Sequence, residues 1–167
     1  MEQWPRSEDE RYLRLALRAL DAAAQRLALQ RHDVEQAYAA VGEVLFWARS
    51  RDEGFEKLFP STYRAARQSD DEGSLLPGIQ WARNRIGHQR AVVINKHHGT
   101  EVGFWVLGEG VLGTRDHMMW SPVAAIPPGT SPFGRDVYES RLAGRDVMEA
   151  VNAACMWLAR AREQFPS

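Results

Sequence analysis

One cysteine, Cys155, is all the thiol in the chain, which excludes an intramolecular disulfide and any cysteine-rich zinc site. It falls inside an apolar helical pattern and reads as a small buried hydrophobe rather than a nucleophile. No apolar run approaches the roughly 20 residues that span a bilayer, and Met1-Glu2-Gln3-Trp4 lacks the charged-then-apolar form of a signal peptide. The expectation is a cytoplasmic protein without a membrane partner. Charge of one sign is missing too: 21 Lys and Arg against 22 Asp and Glu leave a formal net charge of -1. No global positive field draws in a polyanion, so a nucleic-acid site requires a local basic cluster. The adjacent His97 and His98 come without an HExxH or Cys/His array and read as part of a turn, so neither a metal nor a cofactor is expected. Internal repeats and low-complexity segments are also absent, which excludes a solenoid.

What is present is ordinary globular material, 44% apolar and 26% charged over 167 residues, enough for one domain spanning 1–167. Ser7-Glu8-Asp9-Glu10 has the form of a capping box, and Leu13, Leu17, Leu20, Ala24 and Leu27 follow at helical spacing. Asp33 with Gln36 offers a second cap leading into Ala37, Val41, Val44 and Ala48, a helix expected to end between Arg51 and Gly54. Their short connection predicts an antiparallel hairpin, with Phe55, Leu58, Phe59 and Tyr63 as an irregular lid over its end. A third apolar stripe, Leu75, Ile79, Ala82 and Ile86, opens with Ser74 as candidate N-cap and Pro77 in the first turn.

The period then changes. Ala91-Val92-Val93-Ile94 and Glu101 to Leu107 are short β-prone runs around a Lys96-His97-His98-Gly99 turn, followed by a segment broken by Gly and Pro. Residues 91–134 therefore read as a β-containing insertion. Helix returns with Asp136 and Glu139, breaks at Gly144-Arg145, and restarts at Asp146 ahead of Val147, Val151, Ala154, Leu158 and Ala161. The fold class is mainly α, an up-and-down helical bundle with a small β-hairpin-containing insertion before the last helices.

Chemically able side chains concentrate on the third helix, where Trp81, Asn84, Arg85 and His88 lie opposite the apolar stripe and are expected to form one exposed ridge. Within it, Arg83-Asn84-Arg85-Ile86-Gly87-His88 matches the arginine, asparagine, three variable residues, histidine signature of the HEPN superfamily. The order of helices resembles that of HEPN bundles, although 91–134 has no counterpart in a minimal one. The resemblance implies a metal-independent endoribonuclease, often a toxin or defence effector, whose two subunits join their motif residues in a cleft. It implies Arg83 and His88 as catalytic, Asn84 as their orienting partner, a homodimer, RNA as substrate and an antitoxin protein as a possible partner.

That assignment is chemically coherent. Histidine titrates in the range needed to take a 2′-hydroxyl proton, and arginine grips phosphate oxygens through its planar fork. Arg85 and Arg90 are candidate phosphate contacts and Trp81 a base or dimer contact. Arg83 and His88 nevertheless lie about 140° apart on a regular helix. A helix end at Gly87 that swings His88 inward, or pairing across a dimer, would bring them together. The residues alone also allow a different reading, with Arg83 a structural arginine bonding carbonyls or a carboxylate and His88 an ordinary C-terminal helix residue. Glu43 is a candidate orienting carboxylate or a plain solvated glutamate. Two further functions stay open: a non-catalytic nucleotide- or RNA-binding module, and a protein-interaction scaffold that uses the tryptophan-rich insertion.

Overall fold

The computed structural model describes residues 6–101 and 113–165. Six helical segments and one two-stranded sheet account for most of them, a mainly α bundle with a small antiparallel hairpin before the final helices. Helix α1 spans Arg6–Gln30 and α2 spans Val34–Leu58. They run antiparallel: Asp9 pairs with Lys57, Leu13 lies against Gly54, and Arg26 with Glu43. Asp33 caps α2 by accepting from the Glu35 and Gln36 amides at 2.9 and 3.1 Å, and Gln36 returns a side-chain bond. Ser7 lies inside α1 rather than at its cap.

Helix α2 runs past the expected stop at Arg51 to Gly54, ending at Leu58. Gly54 is a close-approach residue rather than a terminator, because a Cβ there would come within 2.7 Å of the Leu13 side chain. Of the residues expected as an irregular lid, Phe55 and Leu58 belong to α2, Phe59 follows it, and Tyr63 lies in a further regular helix, α3, at Thr62–Ser69, wholly buried against Phe55. A 3₁₀ turn at Gly73–Leu75 then opens α4, Leu76–Gln89. Ser74 makes no capping bond; its hydroxyl donates to the Asp71 carbonyl while Asp70 accepts from the Glu72 and Gly73 amides.

Strand β1, Ile94–Glu101, pairs with β2, Gly113–Trp120, in a register that sets Ile94 opposite Trp120 and His97 opposite His117. His97 and His98 thus lie in a strand, not in the expected turn, and Ala91 to Val93 precede it. Of the run 101–107 expected as the second strand, Glu101 ends β1 and the rest falls outside the described residues. A backbone ladder needs no particular side-chain polarity, so a polar stretch extends as a strand once Ile94, Met118 and Trp120 anchor its base in the core.

Residues 121–134 fold back over α4 as a strap containing one 3₁₀ turn, Val123–Ala125. The strap leads into α5, Arg135–Val137, which widens to a π-turn at Tyr138–Leu142. Asp146 caps the last helix, α6, Val147–Gln164, by accepting from the Met148 amide at 2.7 Å. The hairpin base is stitched to this region by Trp120 N–H to the Arg145 carbonyl and Gly144 N–H to the Trp120 carbonyl, both 2.9 Å. Leu20, Val41, Leu45, Ile79, Trp120, Tyr138, Trp157 and Leu158 form the shared core. No helix among the described residues is long and apolar enough to cross a membrane.

Candidate functional site

Helix α4 is covered on two sides and open on a third. The predicted stripe holds, with Leu75, Ile79 and Ala82 buried and Ile86 half-buried. The opposite face does not remain exposed: Trp81 and Arg85 are each only 3% accessible, because the strap closes over them. The expected ridge is therefore split. Trp81 and Arg85 point under the strap; Arg83 and Asn84 are half-buried; His88 and Arg90 face solvent.

On the outer side, Arg83 donates to the Asn84 side-chain oxygen at 3.4 Å and meets no carboxylate among the described residues. His88 makes no hydrogen bond among them. Gly87 does not end the helix; α4 continues to Gln89 and closes through Arg90 in the left-handed region at φ 53°, with the Ala91 amide reaching the Arg85 carbonyl. His88 is thus not swung inward, and within one chain Arg83 and His88 remain about 140° apart around the axis. Space beside Gly87 is open, with nothing within 4 Å of where a Cβ would stand.

On the inner side, the Arg85 guanidinium lies 4.7 Å from the centre of the Trp81 ring, a cation–π stack. It donates to the Ser131 carbonyl at 2.7 Å and to the Gln89 side-chain oxygen at 2.9 Å. All its acceptors are neutral. Burial, and then the nearby Arg135, hold Arg85 below its ordinary pKa. The strap backbone passes close here: a Cβ at Gly129 would sit 1.0 Å from an Arg85 nitrogen, so a larger residue would displace the Arg85 and Gln89 side-chain ends. Between α4 and the strap lies a hollow of about 320 Å³, walled by Val123, Ile126 and the prolines 127, 128 and 132 and bordered by Arg85 and Arg135. Two buried donors on its lining residues, Trp81 Nε1 and Arg85 Nε, have no acceptor among the described residues.

The remaining candidates are placed as follows. Glu43 is taken by an ion pair with Arg26 between α1 and α2. Trp120 is wholly buried, so it is core and not a partner-facing anchor, and Trp105 lies outside the described residues. Trp157 belongs to the core, and Trp47 is half-buried at the edge of that core. Cys155 is half-buried, and burial pushes its thiol up to about 11. Among the described residues no three His, Cys, Asp or Glu side chains gather as metal ligands.

A buried charge network escaped the sequence reading. Asp52 accepts from Arg67 at 2.7 Å, Arg49 at 2.9 Å and the Tyr63 hydroxyl at 2.8 Å, and Trp157 Nε1 donates to that hydroxyl at 3.2 Å. Arg51, wholly buried, donates to the Leu158 and Leu13 carbonyls across three helices. Its trace is visible in the sequence: Val44, Ala48, Asp52 and Phe55 continue one helical stripe, which puts a charge on the core face of α2. The strap residues Gly129 and Arg135 carried no such periodic mark. Compared with protein-family models, curated proteins and solved structures, the chain matches none.

Proposed function

We propose that the chain is a HEPN-like, metal-independent endoribonuclease that acts as a homodimer, with Arg83, Asn84 and His88 as its working residues. The observation that carries this reading is the lack of structural employment for the motif. A structural arginine in this fold looks like Arg51 or Arg67, with its guanidinium spent on carbonyls or carboxylates. Among the described residues Arg83 hydrogen-bonds only to the Asn84 amide, and His88 stands in solvent four residues beyond Asn84 on the same helical face.

In the proposed reaction a neutral His88 takes the proton of a ribose 2′-hydroxyl, and the freed oxygen attacks the adjacent phosphorus. Arg83 holds the negative charge that builds on the phosphorane oxygens, and the partner's His88, protonated, gives its proton to the departing 5′-oxygen. The products are a 2′,3′-cyclic phosphate end and a 5′-hydroxyl end. The 140° divergence of Arg83 and His88 within one helix is the reason the reading needs two copies.

The test is RNA incubated with excess chelator. Wild-type protein is expected to cut it and leave cyclic phosphate ends, while His88→Ala loses at least about 100-fold in rate, the usual contribution of a positioned acid or base. If wild-type and variant protein leave a broad RNA panel equally intact, the nuclease reading fails. One observation favours a second reading, RNA binding without cleavage: the Arg83 guanidinium lies on Asn84 rather than toward His88. Salt-sensitive retention of uncut RNA, lost in Arg83→Ala, would establish that alternative.

A further inference from the structure

We propose that the hollow between α4 and the strap binds a small organic anion, with a carboxylate or phosphate head on Arg85 and Arg135 and an apolar ring body against the prolines. This goes beyond RNA cleavage, because neither Arg83 nor His88 borders the hollow. The volume of about 320 Å³ is on the order of ten waters and lies at the lower end of small-molecule sites.

Three observations converge on the ligand class. The first is charge: Arg85 and Arg135 both border the space, and no Asp or Glu lines it. A buried cation normally has an anion beside it, and Arg85, 3% accessible, has only the Ser131 carbonyl and the Gln89 amide oxygen. The second is polarity beneath the hollow, since Trp81 Nε1 and Arg85 Nε, on two residues that line it, are buried with no acceptor among the described residues. Buried N–H groups of native proteins nearly always have one. The third is the wall, where Ile126, Pro127, Pro128 and Pro132 give a rigid apolar surface facing a cation. An inorganic ion would satisfy the charge and leave that wall wet; an apolar molecule would fill the wall and leave the charge bare. A ligand carrying both parts matches both the arginines and the apolar wall.

Adenosine 5′-monophosphate and indole-3-acetate supply the two sources of this chemistry, a phosphorylated nucleoside and an aromatic carboxylate. Each is titrated into the full chain by calorimetry, with melting temperature as a second readout, beside inorganic phosphate, adenosine and indole as controls. At least one of the two anions is expected to bind and raise the melting temperature, at least tenfold more tightly than its neutral counterpart and than inorganic phosphate. The tighter of the two names the source. Arg85→Met should abolish binding, and because that change also releases the strap, Arg135→Ala, at an exposed residue, serves as the second variant and should weaken binding at least fivefold. Neutral adenosine or indole binding as well as the anions, inorganic phosphate binding as well as either, or affinity unchanged in both variants would overturn the proposal. So would a hollow that holds water only, seen as no binding of either anion.

Discussion

Arg67 and Arg85 are equally screened from solvent, each 3% accessible, yet Arg67 lies deep between helices while Arg85 lies just beneath a mostly exposed strap, and their surroundings are opposite. Arg67 faces the Asp52 carboxylate at 2.7 Å and Glu56 at 2.9 Å. Burial works to lower its pKa, but Asp52 and Glu56 outweigh it and the pKa rises. Arg85 has neutral acceptors and a second arginine nearby, so burial goes unopposed and its pKa falls. The difference separates two uses of one side chain. At the Asp52 end the charges are spent on each other and tie α2, α3 and α6 together; along α4 they are held in place and left uncompensated.

Removing Asp52 tests the closed end and carries the largest expected effect. Asp52→Ala strands the Arg67 guanidinium without its main counter-charge and should cost roughly 3–5 kcal/mol, read as a lowered urea midpoint; a loss below about 1 kcal/mol would show that the network is peripheral to stability. Gly134→Ala attacks the other end. Gly134 sits at φ 77° with the Pro77 carbonyl 1.9 Å from any Cβ, so left-handed strain and overlap together should cost about 2–4 kcal/mol. The same variant should expose Trp81 to an aqueous quencher, and unaltered Trp81 shielding would refute the strap as its cover.

A third prediction engages both ends through their tyrosines. Burial, and then Asp52, raises the pKa of Tyr63, while burial alone raises that of Tyr138. A folded-state pKa above the unfolded value of about 10 means that the stabilisation is complete below pH 10 and is lost as pH climbs past it, at about 1.4 kcal/mol per pH unit for each tyrosine. Phenolate absorbance from these two should appear only together with unfolding; a full rise while the helical signal persists would contradict their burial. Smaller effects belong to the outer side of α4. Arg83→Ala and His88→Ala should each change stability by less than about 0.5 kcal/mol, and a larger loss in Arg83→Ala would return Arg83 to the structural class. Gly87→Ala should stabilise by about 0.5–1 kcal/mol, because the added methyl meets nothing within 4 Å; a lower melting temperature would reveal an unseen constraint at that surface.

Periodic features were legible from the residues: the stripes of α1, α2, α4 and α6, and the caps at Asp33 and Asp146, are local patterns that tertiary context left intact. Helix α3 was hidden because Pro60 and a cluster of aromatics resemble loop composition, although the eight residues from Thr62 bury Tyr63 and Arg67 on one face. Ser74 looked like a cap because a hydroxyl before a helix usually is one, yet Asp70 had already taken the first amides. For the candidate site, the helix bearing Arg83, Asn84 and His88 could be found from spacing alone. The burial of Trp81 and Arg85 could not, since the strap that covers them is ordered by prolines and single carbonyl contacts, which have no period.

Two glycines, one from each side, key the strap to α4. Gly134 rests on the Pro77 carbonyl, and Gly78 admits the Tyr138 backbone, where a Cβ would already be at 3.0 Å. Neither half of this joint is portable by itself. An engineer who grafts residues 121–142 onto another bundle must carry the Pro77-Gly78 turn along with them, and a lineage that changes either glycine must alter both partners together or lose the fit.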